Sequence, residues 1–351
     1  MPDSTESDAT TLTREQLKSC LVGLKIHPVA MTHAYTTVNI SSLHLSDIQL
    51  LSEYPNIMHV NCSGNQLTSL SPLQHLNLLL SVDASENDLA QALDFDTPRC
   101  TNDNASIIGK DWFGSTVQYA NLNANRIEKI RNLSLACPFL TELHLSGNEI
   151  KEIDGIEGLR YLRVLDLSSN CLKMLKGLAS TEWSLPALED LKLGNNVIAS
   201  VEEIACLPCL LYLDVNHNNI STLSPLQASP SAIASPKIIE DFNELNNLIP
   251  HKNFESLEID GNPLTRHCGS KVISRARILR RLQQLAILDG DLVTSKEKVK
   301  AMVMHGSEIP SRKEVFQMYL PRHSFIDDVD VLNFDEDQAL NLGFPVDGNL
   351  V

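Results

Sequence analysis

The sequence predicts an α/β solenoid with a parallel sheet on its concave side, turns or short 3₁₀ segments on its convex side, and helical caps at both ends. One frame, seen in "LTELHLSGNEI" at residues 140–150, recurs along the chain with asparagine at one position. Its shortest regular step is 22 residues, which leaves little room for convex helices. Because parallel strands lie about 4.8 Å apart and packed helices about 8 to 10 Å apart, we expect gentle curvature.

Each repeat begins with a short strand that buries alternate side chains, as Leu143 and Leu145 illustrate. The frame fits nine segments, and the first of them, "YTTVNISSLHL", has Leu43 in place of the asparagine. Nine strands would span roughly 40 Å.

The recurring asparagine is interpreted as structural, because a catalytic residue would occur once. Its amide both donates and accepts hydrogen bonds, so it can satisfy backbone groups of its own repeat and of the next one. Losing one such residue would leave backbone groups unpaired at a cost of roughly 1 to 3 kcal/mol. The predicted ladder consists of Asn65, Asn87, Asn125, Asn148, Asn170, Asn196, Asn218 and Asn262.

The frame Leu-x-x-Leu-x-Leu-x-x-Asn-x-Leu resembles that of leucine-rich repeat proteins, over residues 35–265. Its 22-residue unit resembles the short subfamily typified by the phosphatase-1 regulator Sds22. Two steps between asparagines are too long, at 38 and 44 residues. We therefore expect insertions near 91–112 and 224–245, the second because its Pro, Ser and Ala content indicates a surface loop.

A helical cap is predicted at the N-terminal end, over residues 13–34. Thr13 and Gln16 have the spacing of a capping box. One helical face would then carry Leu17, Cys20, Leu21 and Leu24.

Cap helices are also predicted over 266–305, where the spacing resembles the C-terminal cap of Sds22-like proteins. A second capping box is expected at Thr294 and Glu297. The first helix would carry a basic patch that is either a solvated face or a docking site, formed by Arg275, Arg277, Arg280 and Arg281.

The two ends of the chain are polar. Residues 1–12 are predicted to be disordered, and residues 306–351 to form an acidic, mobile tail. From Ser324 onward there are seven acidic residues and no lysine or arginine. The phenylalanines among them leave two interpretations open, a docking segment for a basic partner or a solubilising tail.

Composition indicates a soluble, cytoplasmic protein. The first twenty residues are too polar for a secretory signal, and no apolar run reaches the length of a membrane span. A net charge of −16 disfavours direct nucleic-acid binding. Neither a nucleic acid nor a membrane is therefore expected as a direct partner.

The strand residues that alternate with the buried leucines should face the concave side and bind protein. One column would contain Asp83, Asn121, His144, Asp166, Lys192, Asp214 and Glu258. A second, beside it, would contain Tyr119, Glu142, Asp190, Tyr212 and Asp260. This mainly acidic strip suits a basic, extended protein surface.

Nothing in the sequence indicates catalysis, a cofactor or a metal. The chain lacks a phosphate loop, an HExxH helix and a GxSxG elbow. Most cysteines, including Cys62, are expected to act as small core residues. Cys206 and Cys209 have the spacing of half a zinc site, but no second pair of ligands is evident. We expect a protein that is not an enzyme.

A ciliary role is implied by resemblance. The segment beginning "HAYTTVNISSLHL" at residue 33, and "DLAQALDF" at residues 88–95, are similar to leucine-rich repeat proteins of cilia, including a radial-spoke component. The resemblance implies a non-catalytic scaffold that is a structural or assembly component of the axoneme of a cilium or flagellum. The alternative is an Sds22-like regulatory subunit that binds protein phosphatase-1.

Overall fold

The computed structural model describes residues 10–26, 33–95, 116–130, 133–178, 185–220, 242–266 and 270–304. The predicted tail at 306–351, residues 1–9 and most of both predicted insertions lie outside these residues.

The predicted solenoid is confirmed: within the described residues, one twelve-stranded sheet runs the length of the array. Its strands, in chain and sheet order, are β1 (Leu21–Ile26), β2 (His33–Asn39), β3 (His59–Asn61), β4 (Ser81–Asp83), β6 (Tyr119–Asn121), β8 (Glu142–His144), β9 (Val164–Asp166), β10 (Asp190–Lys192), β11 (Tyr212–Asp214), β12 (Ser256–Glu258), β13 (Ile287–Leu288) and β14 (Asp291–Leu292). The strands from β2 to β13 are parallel, whereas β1 and β14 pair antiparallel at the two ends. Nine of the parallel strands correspond to the predicted repeats, and β13 adds one more.

The long steps between repeats do not interrupt the sheet. Strand β4 pairs directly with β6, with Ser81 opposite Tyr119, and β11 pairs directly with β12, with Tyr212 opposite Ser256. A separate two-stranded sheet joins β5 (Gln91–Ala92) to β7 (Lys129–Ile130). Residues 91–92, which the sequence analysis placed in the first insertion, therefore belong to the regular stack.

The second expected insertion ends earlier than predicted at its described edge. Residues Phe242–Leu248 form a 3₁₀ helix, and Leu245 and Leu248 are buried in the core. This segment therefore supplies the convex side of the repeat that begins with β11. The prediction that 242–245 belong to a loop was wrong, because these residues lie in the 3₁₀ helix and Leu245 is buried.

The convex side consists of short segments, as predicted. The 3₁₀ helices are Gln49–Glu53, Ser71–His75, Lys176–Leu178, Glu202–Cys206 and Phe242–Leu248, and α2 is a single turn at Leu133–Ala136. Each of the first four 3₁₀ helices buries one leucine or isoleucine, such as Leu73 or Ile204. A convex side this thin follows from the short repeat.

The N-terminal cap is helical only at its start. Helix α1 (Arg14–Cys20) begins with the predicted capping box, in which Thr13 and Gln16 bond reciprocally. The chain then enters β1, so the prediction that Leu21 and Leu24 lie on a helical face was wrong. The pairing of β1 with β2 is not local in sequence and overrides the helical spacing.

The described residues just before α1 are also part of the fold. Thr11 bridges to Asp47, the Leu12 amide donates to the Asp47 carbonyl at 3.2 Å, and Leu12 is buried. The disorder predicted for 1–12 is therefore contradicted for residues 10–12.

The C-terminal end contains α3 (Pro263–Arg266), α4 (Lys271–Arg281) and α5 (Ser295–Met304), with β13 and β14 between α4 and α5. The predicted capping box is present, since Thr294 and Glu297 bond reciprocally. The parallel array thus continues beyond residue 265, through β13.

The basic patch expected on α4 is divided. Arg275 is buried, and its Nε donates to Glu297 Oε1 of α5 at 3.2 Å. Arg277, Arg280 and Arg281 are partly buried. Neither a solvated face nor a single basic docking site describes the four arginines.

A ladder of buried asparagines runs along the core, beside one continuous cluster of leucine, isoleucine and valine. In a typical rung, Asn148 Nδ2 donates to the carbonyls of Leu145 and Leu122, and its Oδ1 accepts from the Ile127 amide. Each asparagine therefore bonds to its own repeat and to the preceding repeat. The prediction that it would bond to the next repeat was wrong. Each such carbonyl also serves the neighbouring rung: Leu145 accepts from both Asn148 and Asn170, at 2.9 Å each.

Candidate functional site

The predicted concave residues lie in two columns that the sheet register defines. The first strand position carries Tyr119, Glu142, Val164, Asp190 and Tyr212 in successive strands. The third strand position carries Asp83, Asn121, His144, Asp166, Lys192, Asp214 and Glu258. All of these side chains are partly buried, because each flanks the fully buried middle residue of its strand.

Asp260 does not belong to the first column. It lies two residues after Glu258, beyond the end of β12, and is exposed. The prediction for Asp260 was wrong, because it extended the two-residue alternation beyond the end of β12, which stops at its third residue. Asp260 instead occupies the position, two residues after the strand, that Ser168 and Asn216 occupy in earlier repeats.

Several residues of the third-position column have a structural task that the sequence analysis missed. Asp166 Oδ1 accepts from the backbone N–H of Ser168 at 3.0 Å, and Asp214 Oδ1 accepts from that of Asn216 at 2.8 Å. The same bond is made by Asn39, Asn61, Asp83 and Asn121. Each is a local Asx turn that ends the strand.

The repeated pattern Asn/Asp-x-Ser/Asn was the signal for these turns, as in "NCS" at 61–63 and "DLS" at 166–168. Since both asparagine and aspartate make this bond, the turn requires the side-chain oxygen and not the charge. The negative charge at Asp166 and Asp214 is therefore additional to the turn.

The centre of the surface combines aromatic and acidic groups. The rings of Tyr119 and His144 lie 5.5 Å apart between centroids, at 50°. His144 Nε2 lies 3.8 Å from Glu142 Oε2. Burial raises the pKa of the Tyr119 hydroxyl, and the charges of Asp83 and Glu142 raise it further. Tyr119 thus stays a neutral hydrogen-bonding group on an acidic surface.

The C-terminal part of the surface is a connected polar group. The Tyr212 hydroxyl donates to Glu258 Oε1 at 2.9 Å, and Asn216 Nδ2 donates to Glu258 Oε2 at 2.9 Å. Both carboxylate oxygens of Glu258 are thereby engaged. Burial, followed by the hydrogen bond to Glu258, raises the pKa of Tyr212.

Two aspartates on this surface, Asp190 and Asp214, have raised pKa values. Burial raises the pKa of Asp190 and of Asp214 above the ordinary value of 3.8, and Asp166 raises both further. Lys192, at 3.8 Å from Asp190 Oδ2, lowers the Asp190 pKa and offsets part of the shift. Lys192 therefore lies among several partly desolvated carboxylates. Asp190 Oδ1 is buried and has no hydrogen-bond partner in the described structure.

No metal site is present among the described residues: they contain no group of three or more His, Cys, Asp or Glu side chains suited to hold an ion. Cys206 and Cys209 are exposed. Of the six described cysteines, Cys62 and Cys137 are buried, so the prediction that most are core residues was wrong for this part of the chain.

Comparison with known proteins identifies the repeat. The family profile of Leucine Rich repeats, in two copies, matches residues 138–180. The chain is 28% identical over 206 residues to leucine-rich repeat-containing protein 23 of Bos taurus, covering 51% of this chain and 60% of that protein. It is 30% identical over 148 residues to the human protein of the same name, covering 42% of this chain and 38% of that protein. The matches thus span less than two thirds of either relative.

A plant relative has a different name. The chain is 27% identical over 154 residues to the Protein phosphatase 1 regulatory inhibitor subunit PPP1R7 homolog of Arabidopsis thaliana, covering 40% of this chain and 47% of that protein.

Solved structures resemble this one in fold. An internalin from Listeria monocytogenes aligns with a TM-score of 0.52 and 17% identity, covering 73% of this chain and 61% of its own. A leucine-rich repeat protein of Leptospira interrogans aligns with a TM-score of 0.51 and 18% identity, covering 72% and 60%. At this identity the likeness establishes the solenoid alone. In the described ranges, no helix is both long and apolar enough to cross a membrane.

Proposed function

For this leucine-rich repeat protein, we propose the function of a non-catalytic scaffold that binds a basic, extended protein surface along its concave sheet. The observation that carries the proposal is the alignment of acidic and aromatic side chains, in register, across the strands from β6 to β12. Side chains that repeat at the strand spacing match a partner that is itself extended.

The chemistry of the surface supports a basic partner. Asp190 and Asp214 are partly desolvated, and their raised pKa values mean that ionisation is costly before binding. A lysine or arginine from a partner would return favourable charge interactions to them. The net charge of −16 makes direct contact with nucleic acid unfavourable.

The proposed location is the axoneme of a cilium or flagellum, where the protein would be a structural or assembly component. This part of the proposal rests on the resemblance of the first repeats and of residues 88–95 to ciliary leucine-rich repeat proteins. Two mammalian relatives, each named leucine-rich repeat-containing protein 23, support a repeat scaffold of this general kind.

The alternative is a regulatory subunit of protein phosphatase-1. Its specific support is the Arabidopsis relative, whose name describes a regulatory inhibitor subunit of that phosphatase. Tagging the protein in ciliated cells separates the two proposals. Retention in detergent-extracted axonemes supports the first, and soluble co-purification with the phosphatase supports the second. Turnover of a substrate by the purified protein alone would contradict both.

The concave assignment is tested by removing charge while keeping the turns. In a triple variant with Asp166→Asn, Asp190→Asn and Asp214→Asn, the asparagines at 166 and 214 retain the oxygen that accepts from the backbone. Asparagine already fills this position at Asn61 and Asn121. Lysine would break these turns, so the neutral variant is the cleaner test.

A matched control removes three exposed carboxylates outside the sheet face, through Glu149→Gln, Glu152→Gln and Glu202→Gln. The two triple variants have the same net charge. We expect the concave variant to lose partner capture from ciliary extract, most clearly at low salt, and the control to retain it. Equal capture by both would overturn the concave assignment. Loss of capture only on deletion of residues 227–236 would assign binding to that stretch instead.

A further inference from the structure

The strand at the N-terminal end of the sheet has one unpaired edge. In the described residues, β1 pairs with β2 on one side and with no strand on the other. Such an edge presents a row of backbone donors and acceptors that another strand can complete. Within the chain, β1 is positioned by its antiparallel pairing with β2, and the Gly23 carbonyl also accepts from Thr36 Oγ1 at 2.8 Å. Gly23 has a φ of +69°, which glycine adopts without strain.

One face of this edge is apolar. Val22, Leu24 and Ile26 are 48%, 55% and 56% exposed. Leu24 lies opposite Tyr35 of β2, which is 44% exposed. These four side chains occur in two adjacent strands. An exposed apolar edge strand of six residues is one that native proteins usually cover.

The edge is also free of negative charge. Residues 16–46 contain no aspartate or glutamate, in a chain whose net charge is −16. The charged side chain of β1 is that of Lys25, which alternation places on the opposite face from Leu24. Pairing of this edge with an identical edge would therefore bring no carboxylates together.

We propose that β1 pairs antiparallel with β1 of a second copy of this chain, in the register centred on Leu24. In that register, Leu24 faces Leu24 of the second copy, and Val22 faces Ile26. The three apolar side chains of each copy then form one continuous stripe. Lys25 faces Gly23 of the second copy, so the two lysines are not opposed.

The neighbouring registers are poorer. Centring the pair on Lys25 places two lysines directly opposite each other, which is unfavourable. Centring it on Gly23 places Ile26 opposite Cys20, which lies in α1 and outside the strand. The two-fold pair is isologous and closes at a dimer, because each copy has one such edge.

Two variants with the same chemical change test the surface. Leu24→Glu places two carboxylates opposite each other in the proposed register. Leu292→Glu makes the same change on β14, the strand at the other end of the sheet, where Leu292 is 76% exposed. Sedimentation velocity over a range of concentrations measures the mass of each.

We expect wild type and Leu292→Glu to reach twice the chain mass of 38.9 kDa. Leu24→Glu should remain at the single mass, with a dimer dissociation constant raised at least about tenfold. Circular dichroism checks that each variant is folded. A monomeric wild type at all concentrations, or an unchanged dimer in Leu24→Glu, would overturn the proposal.

Cross-linking tests the register without disrupting the strand. In a background that retains only the buried Cys62 and Cys137, Leu24→Cys should form a disulfide-linked dimer, because its two copies face each other. Val22→Cys alone should not, whereas a mixture of Val22→Cys and Ile26→Cys should. Efficient cross-linking of Val22→Cys alone, with none at Leu24→Cys, would exclude this register.

Discussion

The Arg275 guanidinium donates through Nη1 to the backbone carbonyl of Leu288 at 2.7 Å, and so joins α4 to the last parallel strand. Arg275 is buried, and its Nε also contacts Glu297 of α5. One side chain therefore connects α4, β13 and α5.

Replacing Arg275 by alanine should destabilise this end of the array by about 3 kcal/mol, because a buried carbonyl and a carboxylate lose their partner. Hydrogen exchange at the β13 amides and urea unfolding measure the loss. Arg14→Ala is the control, since the Arg14–Glu53 ion pair is exposed on both sides and should contribute under about 1 kcal/mol. Equal effects of the two changes would contradict the role given to Arg275.

The asparagine ladder predicts a sharp difference between adjacent residues. Asn196 is buried, accepts from the Leu172 amide and donates to the carbonyls of Leu167 and Leu193. Asn196→Leu leaves these groups unpaired and should cost at least about 3 kcal/mol, measured by urea unfolding. Asn195 is exposed with a φ of +55°, so Asn195→Gly should be nearly neutral. Similar unfolding midpoints for the two variants would show that the rung is dispensable.

The concave aspartates predict a pH dependence of stability. Burial raises the pKa of Asp190 and Asp214 in the folded state above the ordinary 3.8. Between 3.8 and the raised value the folded state binds more protons than the unfolded state. Their contribution therefore falls as pH rises through this window, and is constant above it. The double variant Asp190→Asn and Asp214→Asn should lose this dependence.

Urea midpoints across the acid range measure the difference in slope. The control is Glu149→Gln with Glu152→Gln, which changes the net charge equally at exposed positions and should preserve the wild-type slope. If the concave variant has the wild-type slope too, the two aspartates do not titrate as burial requires.

The cysteines should divide into two classes on alkylation of the native protein. Burial raises the pKa of Cys62 and of Cys137 to about 12, so the reactive thiolate is scarce and also inaccessible. Cys171, Cys206 and Cys209 are exposed. With iodoacetamide at about pH 8, mass spectrometry should find label on Cys171, Cys206 and Cys209 in the native protein, whereas Cys62 and Cys137 should be labelled only after denaturation. Labelling of native Cys62 at the rate of Cys171 would be inconsistent with its burial.

Periodicity was enough to predict the solenoid, because every repeat solves the same packing problem. Leu143 and Leu145 are fully buried, and the residues between and beside them face the concave side, as two-residue alternation requires. The direction of each ladder rung was not predictable, because a repeat period is the same whether an amide bonds backward or forward along the stack.

Other features depend on contacts between distant residues. Helical spacing from Leu17 to Leu24 could not reveal β1, whose pairing partner begins at His33. The partners of Arg275 lie 13 and 22 residues away in sequence. The spacing of the arginines could not reveal these contacts, so Arg275 was wrongly predicted to belong to a surface patch. The Asx turns are local in sequence and could have been predicted. They were missed because the prediction considered the charge of the aspartates and not the side-chain oxygen that asparagine and aspartate share.

Direct pairing of β4 with β6 and of β11 with β12 makes the sheet indifferent to the length of chain between them. Substitutions, duplications or deletions within residues 96–115 and 221–241, between the buried residues of these two connections, can therefore accumulate during evolution without shifting the register of a single concave side chain. Related proteins can diverge there in size and composition while the partner-facing columns are inherited unchanged. For protein engineering, the same two stretches, 96–115 and 221–241, are places to introduce a fluorophore or an affinity tag.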